Sequence, residues 1–229
     1  MAHVRGIYSV QASYPDRWRP NLPLHNYSVA RPYLFHLTHR ANVDFLRETA
    51  SLLPAAILME RSGRNDLLRT RRSRHEPITI GGRVIWLRDQ GPLHRGNAKL
   101  PKGYTFEDFI ESLNRRLFFW PGTAVAPIPY GKRHFERYQE EKPILLRIHF
   151  DTLVQANPAA VPRYCRYNSG SPRCSNGNKS PRGPDTFVLA ADFNETPSKV
   201  VEVTFDSEIR LPANTEFGQR PEGPWKKLW

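Results

Sequence analysis

Two histidines stand three residues apart in YLFHLTH, His36 and His39, with Thr38 between them and Asn42 three residues further on. A neutral imidazole carries one donor and one acceptor nitrogen, so it can hold a hydroxyl, take a proton or ligate a metal. Each histidine also has a plainer use: His36 as a satisfied core residue, His39 as a cap or surface residue. A third group with chemical potential is the carboxylate of Glu202 in SKVVEVTF, where Val201, Val203 and Phe205 alternate with Glu202 and Thr204 on the other face. On that pattern alone Glu202 is a solvent-facing residue of an amphipathic strand. Glu195 and Glu208 lie close by and compete for the same part.

The elements that must position these groups read as a mixture of short strands and helices without an internal repeat. Residues 1–30, rich in Pro, Asn, Tyr and Arg, form an extended arm; residues 31–212 form a single α+β domain; residues 213–229 are a tail. The domain opens with a strand over 33–38 and a helix from about Asn42 to Leu53, with Asn42 as N-cap. Pro54 starts the next helix, Gly63 ends it, and 66–73 forms another. ITIGGRVIWLRDQ is a hairpin around Gly81 and Gly82. Thr105 and Asp108 have capping-box spacing ahead of a helix whose Phe106, Phe109, Ile110 and Leu113 share a face. LFFWPG is a buried strand, YGKRHFERYQEEK a helix, and ILLRIHF a strand followed by a helical turn. Residues 157–185 form a long polar loop holding Cys165, Cys174 and five basic residues, and loops of that length usually bear function.

The charge narrows the partners. The chain has 229 residues, with 34 Lys and Arg against 22 acidic residues, and a net charge of +12. Such an excess favours polyanions, either nucleic acid or a phosphate-bearing small molecule. Six arginines crowd into residues 61–74, among them Arg69, Arg71, Arg72 and Arg74; Arg163, Arg166 and Arg173 recur in the long loop, interleaved with Tyr164 and Tyr167, which suit stacking on unpaired bases. A solvated helix face accounts equally well for any one of these arginines. No apolar run approaches the eighteen residues of a membrane span, and no secretory signal stands at the start, so no membrane partner and a cytoplasmic location are the expectation. Two cysteines are too few for a disulfide scaffold.

RDQGPLH, LNRRLFFWPG, CRYNSGSPRCS and KSPRGPDTF resemble a family of uncharacterised bacterial proteins over about residues 31–206. The order of LFHLTHRANVDFL with LLPA, FFWPG followed by Tyr130 and a charged helix, and a glutamate in a late strand also resembles the DarT-like branch of the ADP-ribosyltransferases. That resemblance implies a split β-sheet core with surrounding helices, and NAD as co-substrate in a cleft between two small sheets. It implies cleavage of the bond between nicotinamide and ribose, with Glu202 as the catalytic carboxylate opposing charge on an oxocarbenium-like sugar. It further implies that His36 bonds a ribose of NAD, helped by Thr38, with Asn42 reaching the nicotinamide region. Trp120 or Phe119, or else Tyr130, would stack on the nicotinamide ring. DarT-like enzymes modify bases, so DNA or RNA is the implied acceptor, held by the basic residues named above, in a toxin or defence role. Arg88 and His94 are polar enough to line such a site but receive no part.

Other classes remain open on the residues. A basic nucleic-acid-binding module with a degenerate transferase fold would keep the arginines and tolerate loss of Glu202. His36-Leu37-Thr38 matches the His-x-Thr element of two-histidine phosphoesterases, yet no second histidine is followed at that position by Ser or Thr. His36, His39, Cys165 and Cys174 are zinc-binding types, but the cysteines lack CxxC spacing, and no metal is expected.

Overall fold

In the computed structural model, which describes residues 27–229, mixed α and β elements surround a large antiparallel sheet. The first strand, β1 (Tyr33–Thr38), falls where its apolar run predicts. His39 then ends the strand: its side chain accepts a hydrogen bond from the Ala41 amide, and its ring stacks on Trp86. The capping expectation for His39 therefore matches its place. Helix α1 (Val43–Thr49) stops earlier than its pattern suggests, because Ala50 adopts a left-handed conformation and Ser51–Leu52 leaves as a two-residue strand, β2. Helix α2 (Ala55–Arg61) follows Pro54. The helix expected over 66–73 is reduced to a single 3-10 turn at Asn65–Leu67.

Strands β3 (Glu76–Ile80) and β4 (Arg83–Leu87) form the expected hairpin, with Gly81 and Gly82 both at positive φ in its turn. A short β5 (Ala98–Lys99) precedes helix α3 (Phe106–Asn114). Its N-terminus carries the complete capping box: Thr105 accepts from the Asp108 amide, and Asp108 accepts from the Thr105 amide. Next come β6 (Leu117–Gly122), helix α4 (Pro129–Tyr138), β7 (Ile144–His149) and helix α5 (Phe150–Ala156). The remainder is strand-rich: β8 (Arg163–Cys165), β9 (Cys174–Ser175), β10 (Asn178–Pro181), β11 (Val188–Leu189), β12 (Glu202–Phe205), β13 (Ile209–Arg210), β14 (Glu216–Gly218) and β15 (Lys226–Lys227).

Eight strands form the main sheet in the order β11-β8-β12-β6-β1-β7-β14-β15. Directly opposed residues of antiparallel strands share a face. Phe119 on β6 opposes Val203 on β12, and both enter the larger core with Leu34, Leu146, Ile148 and Phe205. Phe35 opposes Trp120 on the other face, where Phe135 and Tyr138 of α4 cover them. Further along that face, Phe109 and Leu113 of α3 pack with Cys165 and Phe187. The hairpin packs on α2 through Ile78, Ile85 and Met59.

Three expectations about the chain's organisation change. The extended arm falls mostly outside the described residues, but 27–30 is helical and Tyr27 is buried against Phe150 and Tyr164. Residues 213–229 are not a tail: β14 pairs with β7, β15 pairs with β14, and Leu228 is buried, because its apolar side chain completes the core beside α1. The long loop of 157–185 contains β8, inserted beside β12 in the main sheet, and the pairing of β9 with β10.

Candidate functional site

The pairing of β1 with β6 runs from Tyr33↔Gly122 to Phe35↔Trp120 and then ends. His36, the next residue, bridges the gap with its side chain: Nδ1 lies 2.9 Å from the Phe118 carbonyl oxygen. Nδ1 must be the donor, so Nε2 is the ring's acceptor. Burial holds the imidazole's pKa down at about 4, outweighing the carbonyl bond that raises it, and the charge on Arg88 lowers it further. His36 is therefore a neutral ring of fixed tautomer.

Where β1 and β6 part, a cavity of about 250 Å³ opens, and both His36 and Glu202 line it. The sheet supplies Phe118 and Trp120, α4 supplies His134 and Tyr138, and the stretch after β4 supplies Arg88 and Gln90. Residues 168–171 close the side next to Glu202. Glu202 is 3% exposed, not solvent-facing as its alternation suggests, because α3 and the 168–171 segment cover that face of β12. Both carboxylate oxygens accept from the Ser169 amide at 3.2 Å. Arg182 holds that segment in turn, donating to the Ser169 and Asn168 carbonyls. Burial raises the Glu202 carboxyl to about 7, against the lowering effects of the Ser169 bonds and the Arg182 charge.

The other expected site residues divide. Trp120 lines the cavity, 7% exposed, and its Nε1 has no hydrogen-bond partner among the described residues. Thr38 and Asn42 also line it, but their polar atoms are engaged in the scaffold. Asn42 donates to Thr38 Oγ1 and the Trp86 carbonyl and accepts from the Trp86 amide; it makes no side-chain cap bond to α1. Asn42 thus ties the hairpin to β1. Asn42→Ala is expected to cost about 2–3 kcal/mol, read as a lowered urea midpoint, because both Trp86 backbone groups lose their partner. Tyr130 is 40% exposed, lies against Arg133 and is not among the cavity residues; the α4 tyrosine that is present there is Tyr138, two turns further on. Phe119 faces the larger core instead.

Helix α4 reaches the sheet at Gly131, whose position allows the close approach. A Cβ there would lie 2.7 Å from Cβ and Cγ of Trp120. Gly131→Ala is expected to push the indole out of place, destabilising the fold by about 1–3 kcal/mol. Near-ultraviolet circular dichroism of the tryptophans would register the displacement.

The arginines do not make one basic surface. Arg72 is buried on the cavity wall, with Nε donating to the Arg88 carbonyl and Nη1 to Asn114, so it does not belong to an exposed basic face. Arg69 pairs with Asp108 and Glu111, Arg163 with Asp206, and Arg166 with Glu195. Arg71 donates to the Gly91 carbonyl. Arg74 and Arg173 are exposed. Tyr164 is buried in the core and stacked on Tyr27, which removes it from any base-stacking role, while Tyr167 lies under the Arg182 guanidinium. Cys165 is buried and Cys174 exposed, both as free thiols. Among the described residues no group of three or more His, Cys, Asp and Glu side chains is placed to hold a metal. No helix among them is long and apolar enough to cross a membrane.

Comparison with protein families matches residues 32–215 to a family of unknown function (DUF7002). The chain belongs to the DUF7002 family. Comparison with curated proteins and with solved structures gives no match. The family match begins just before β1 and spans the whole cavity, from His36 to Glu202, leaving out β14 and β15.

Within this DUF7002 domain the cavity contains residues that local sequence patterns do not single out. His134 of α4 lies 4.3 Å from the Trp120 ring and 5.0 Å from Tyr138, centroid to centroid. Burial, helped by the charges on Arg88 and Arg137, holds its pKa down at about 3. Arg88 is largely buried beneath the Tyr138 ring at 4.0 Å, and neither Nη atom makes a hydrogen bond among the described residues. Ser169 is fully buried, with Oγ unpaired among the described residues. Nothing local marks His134, with Arg137 one turn on along the same side of α4, and Arg88 stands out in RDQ only as a polar residue without an assigned part.

Proposed function

We propose that this protein is an NAD-dependent ADP-ribosyltransferase. The observation that carries the reading is that His36 and Glu202, on different strands and far apart in sequence, line one cavity, with the carboxylate buried. The strands form one continuous eight-stranded sheet rather than two small ones, and the parting of β1 from β6 beyond Phe35 is the feature on which the finer, ADP-ribosyltransferase-like fold is proposed.

The residues suit the dinucleotide at three points. His36 Nε2 is an acceptor for a ribose hydroxyl, and its tautomer is already set by Phe118. Trp120 offers a buried indole face and an unpaired Nε1 for a flat carboxamide-bearing ring. Glu202, ionised, stands in a low-dielectric wall where a fixed negative charge opposes developing positive charge far more strongly than in water. NAD supplies an activated glycosidic bond with nicotinamide as leaving group. Ser169 and Arg182 hold the Glu202 carboxylate in position, so little reorganisation is needed as charge develops.

The acceptor class we carry forward is a nucleic-acid base, supported by the net charge of +12 and by exposed Arg74 and Arg173. The test is incubation of the protein with adenylate-labelled NAD and single- or double-stranded oligonucleotides, with NAD binding measured in parallel by calorimetry. Label on the oligonucleotide, lost in Glu202→Gln, supports the reading. Absence of NAD binding overturns it, and label appearing on protein instead replaces the acceptor. Oligonucleotide binding with a steep salt dependence and no NAD binding would favour the non-catalytic binding module.

A further inference from the structure

We propose that Arg88 is the anion anchor of the cavity, its guanidinium fork receiving a phosphate or pyrophosphate group of the ligand. The inference deepens the transferase reading by naming a substrate-binding group, but its physical basis is independent of the reaction. A guanidinium has five donors in a fixed plane, and a buried one left without acceptors is costly unless an anion or hydrogen bonds compensate it. Among the described residues, Arg88 Nη1 and Nη2 are both buried and neither has a hydrogen-bond partner. Tyr138, whose side chain also makes a loose polar contact with the guanidinium that falls short of hydrogen-bond geometry, and the carboxylates of Glu141 and Asp89 are its electrostatic company. Glu141 is partly exposed and stands 3.8 Å from Nη1. Asp89 is already engaged, accepting from the Tyr138 hydroxyl at 3.0 Å and the Gly91 amide.

The guanidinium is nevertheless held in place. Tyr138 stacks on it, and the Arg88 carbonyl accepts from Arg72 Nε at 3.0 Å, so the residue is fixed at both ends. Its charge acts on both His36 and His134, which places it in electrostatic reach of the two neutral imidazoles of the cavity. A second arginine on the cavity wall, Arg116, donates through Nη1 to the Ser112 carbonyl but has a buried Nε without a partner among the described residues. Arg72, Arg88 and Arg116 line the cavity against the carboxylates of Asp89 and Glu202, and the two arginines with unspent donors match an anionic ligand. A phosphate ester or pyrophosphate has that charge and accepts the forked donor pair.

The experiment is calorimetric titration of the full chain with inorganic phosphate, inorganic pyrophosphate, ADP-ribose and adenosine. Wild type, Arg88→Gln and Arg88→Lys would be compared, with folding checked by circular dichroism. Pyrophosphate and ADP-ribose are expected to bind, and Arg88→Gln to weaken both at least tenfold. Arg88→Lys, which keeps charge but loses the fork, should fall between. Tight pyrophosphate with weak ADP-ribose would identify a free inorganic anion as the ligand; the reverse would identify a nucleotide. Unchanged anion affinity in folded Arg88→Gln, or adenosine binding as tightly as ADP-ribose, would overturn the proposal. Should Arg88→Gln fail to fold, an unweakened Arg88→Lys does the same. The two readings separate: anion binding that depends on Arg88 without any NAD cleavage sinks the transferase, whereas NAD cleavage with unchanged KM in Arg88→Gln sinks the anchor.

Discussion

Glu202→Gln is expected to lower ADP-ribosyl transfer from NAD at least a hundredfold while leaving the protein folded. Removing one preorganised electrostatic group from a buried site typically costs about a hundred- to a thousandfold in rate. Gln keeps the shape of Glu and can still accept from the Ser169 amide, so the loss reads the charge rather than the packing. The carboxyl's ordinary value near 4.5 is raised to about 7 by burial. Between those values the folded protein keeps a proton that the unfolded chain releases, so this group's contribution to stability falls as pH rises through that window. The melting temperature of Glu202→Gln should therefore match wild type below about pH 4.5 and exceed it above pH 7. Wild-type activity should run the opposite way, rising with pH through about 7 as the carboxylate ionises. Full transfer by Glu202→Gln, or a flat pH profile for wild type, would remove Glu202 from the reaction.

Acid is expected to destabilise the fold through the two buried imidazoles, and this is the largest stability effect the cavity carries. For His36 the folded value is about 4 against an ordinary 6.5, and for His134 about 3. A lowered value means the folded state favours the neutral ring. That stabilisation is complete above pH 6.5 and is lost as pH falls through 6.5 toward the folded values. For His36 the difference corresponds to about 3 kcal/mol. Glu202 works in the opposite direction over an overlapping window, so the wild-type profile is a partial cancellation and single variants are needed to separate it. His134→Leu should lose less stability than wild type between pH 7.5 and pH 4, measured by urea midpoints. Equal acid sensitivity in the two proteins would show that His134 is not held neutral by the fold.

Local patterns account for a good part of this architecture. The strand at 33–38, the Gly81-Gly82 hairpin and the capping box at Thr105 and Asp108 are each fixed by residues within a few positions of one another. The departures have non-local causes. Ser51–Leu52 becomes a strand because Ile209–Arg210 pairs with it, and β8 enters the sheet because β12 lies beside it. Tyr164 has the composition of a loop aromatic, yet that pairing turns it into the core. The site follows the same division. His36 could be chosen from its strand, and Glu202 only with the help of a resemblance, since alternation alone places it in solvent. His134 could not be chosen, and Arg88 could be named only as polar enough to line a site, because what distinguishes them is the company they keep in three dimensions.

The hydrogen bond from His36 to the Phe118 carbonyl makes one side chain a rung of the sheet as well as a wall of the cavity. Position 36 therefore cannot be silenced cleanly: a substitution that deletes the proposed ligand contact also strands a carbonyl at the point where two strands separate. A dead variant at this position would confuse a broken scaffold with a missing contact. Replacements that retain a donor, such as His36→Asn, are the informative ones, because they ask about the Nε2 face while leaving the seam closed.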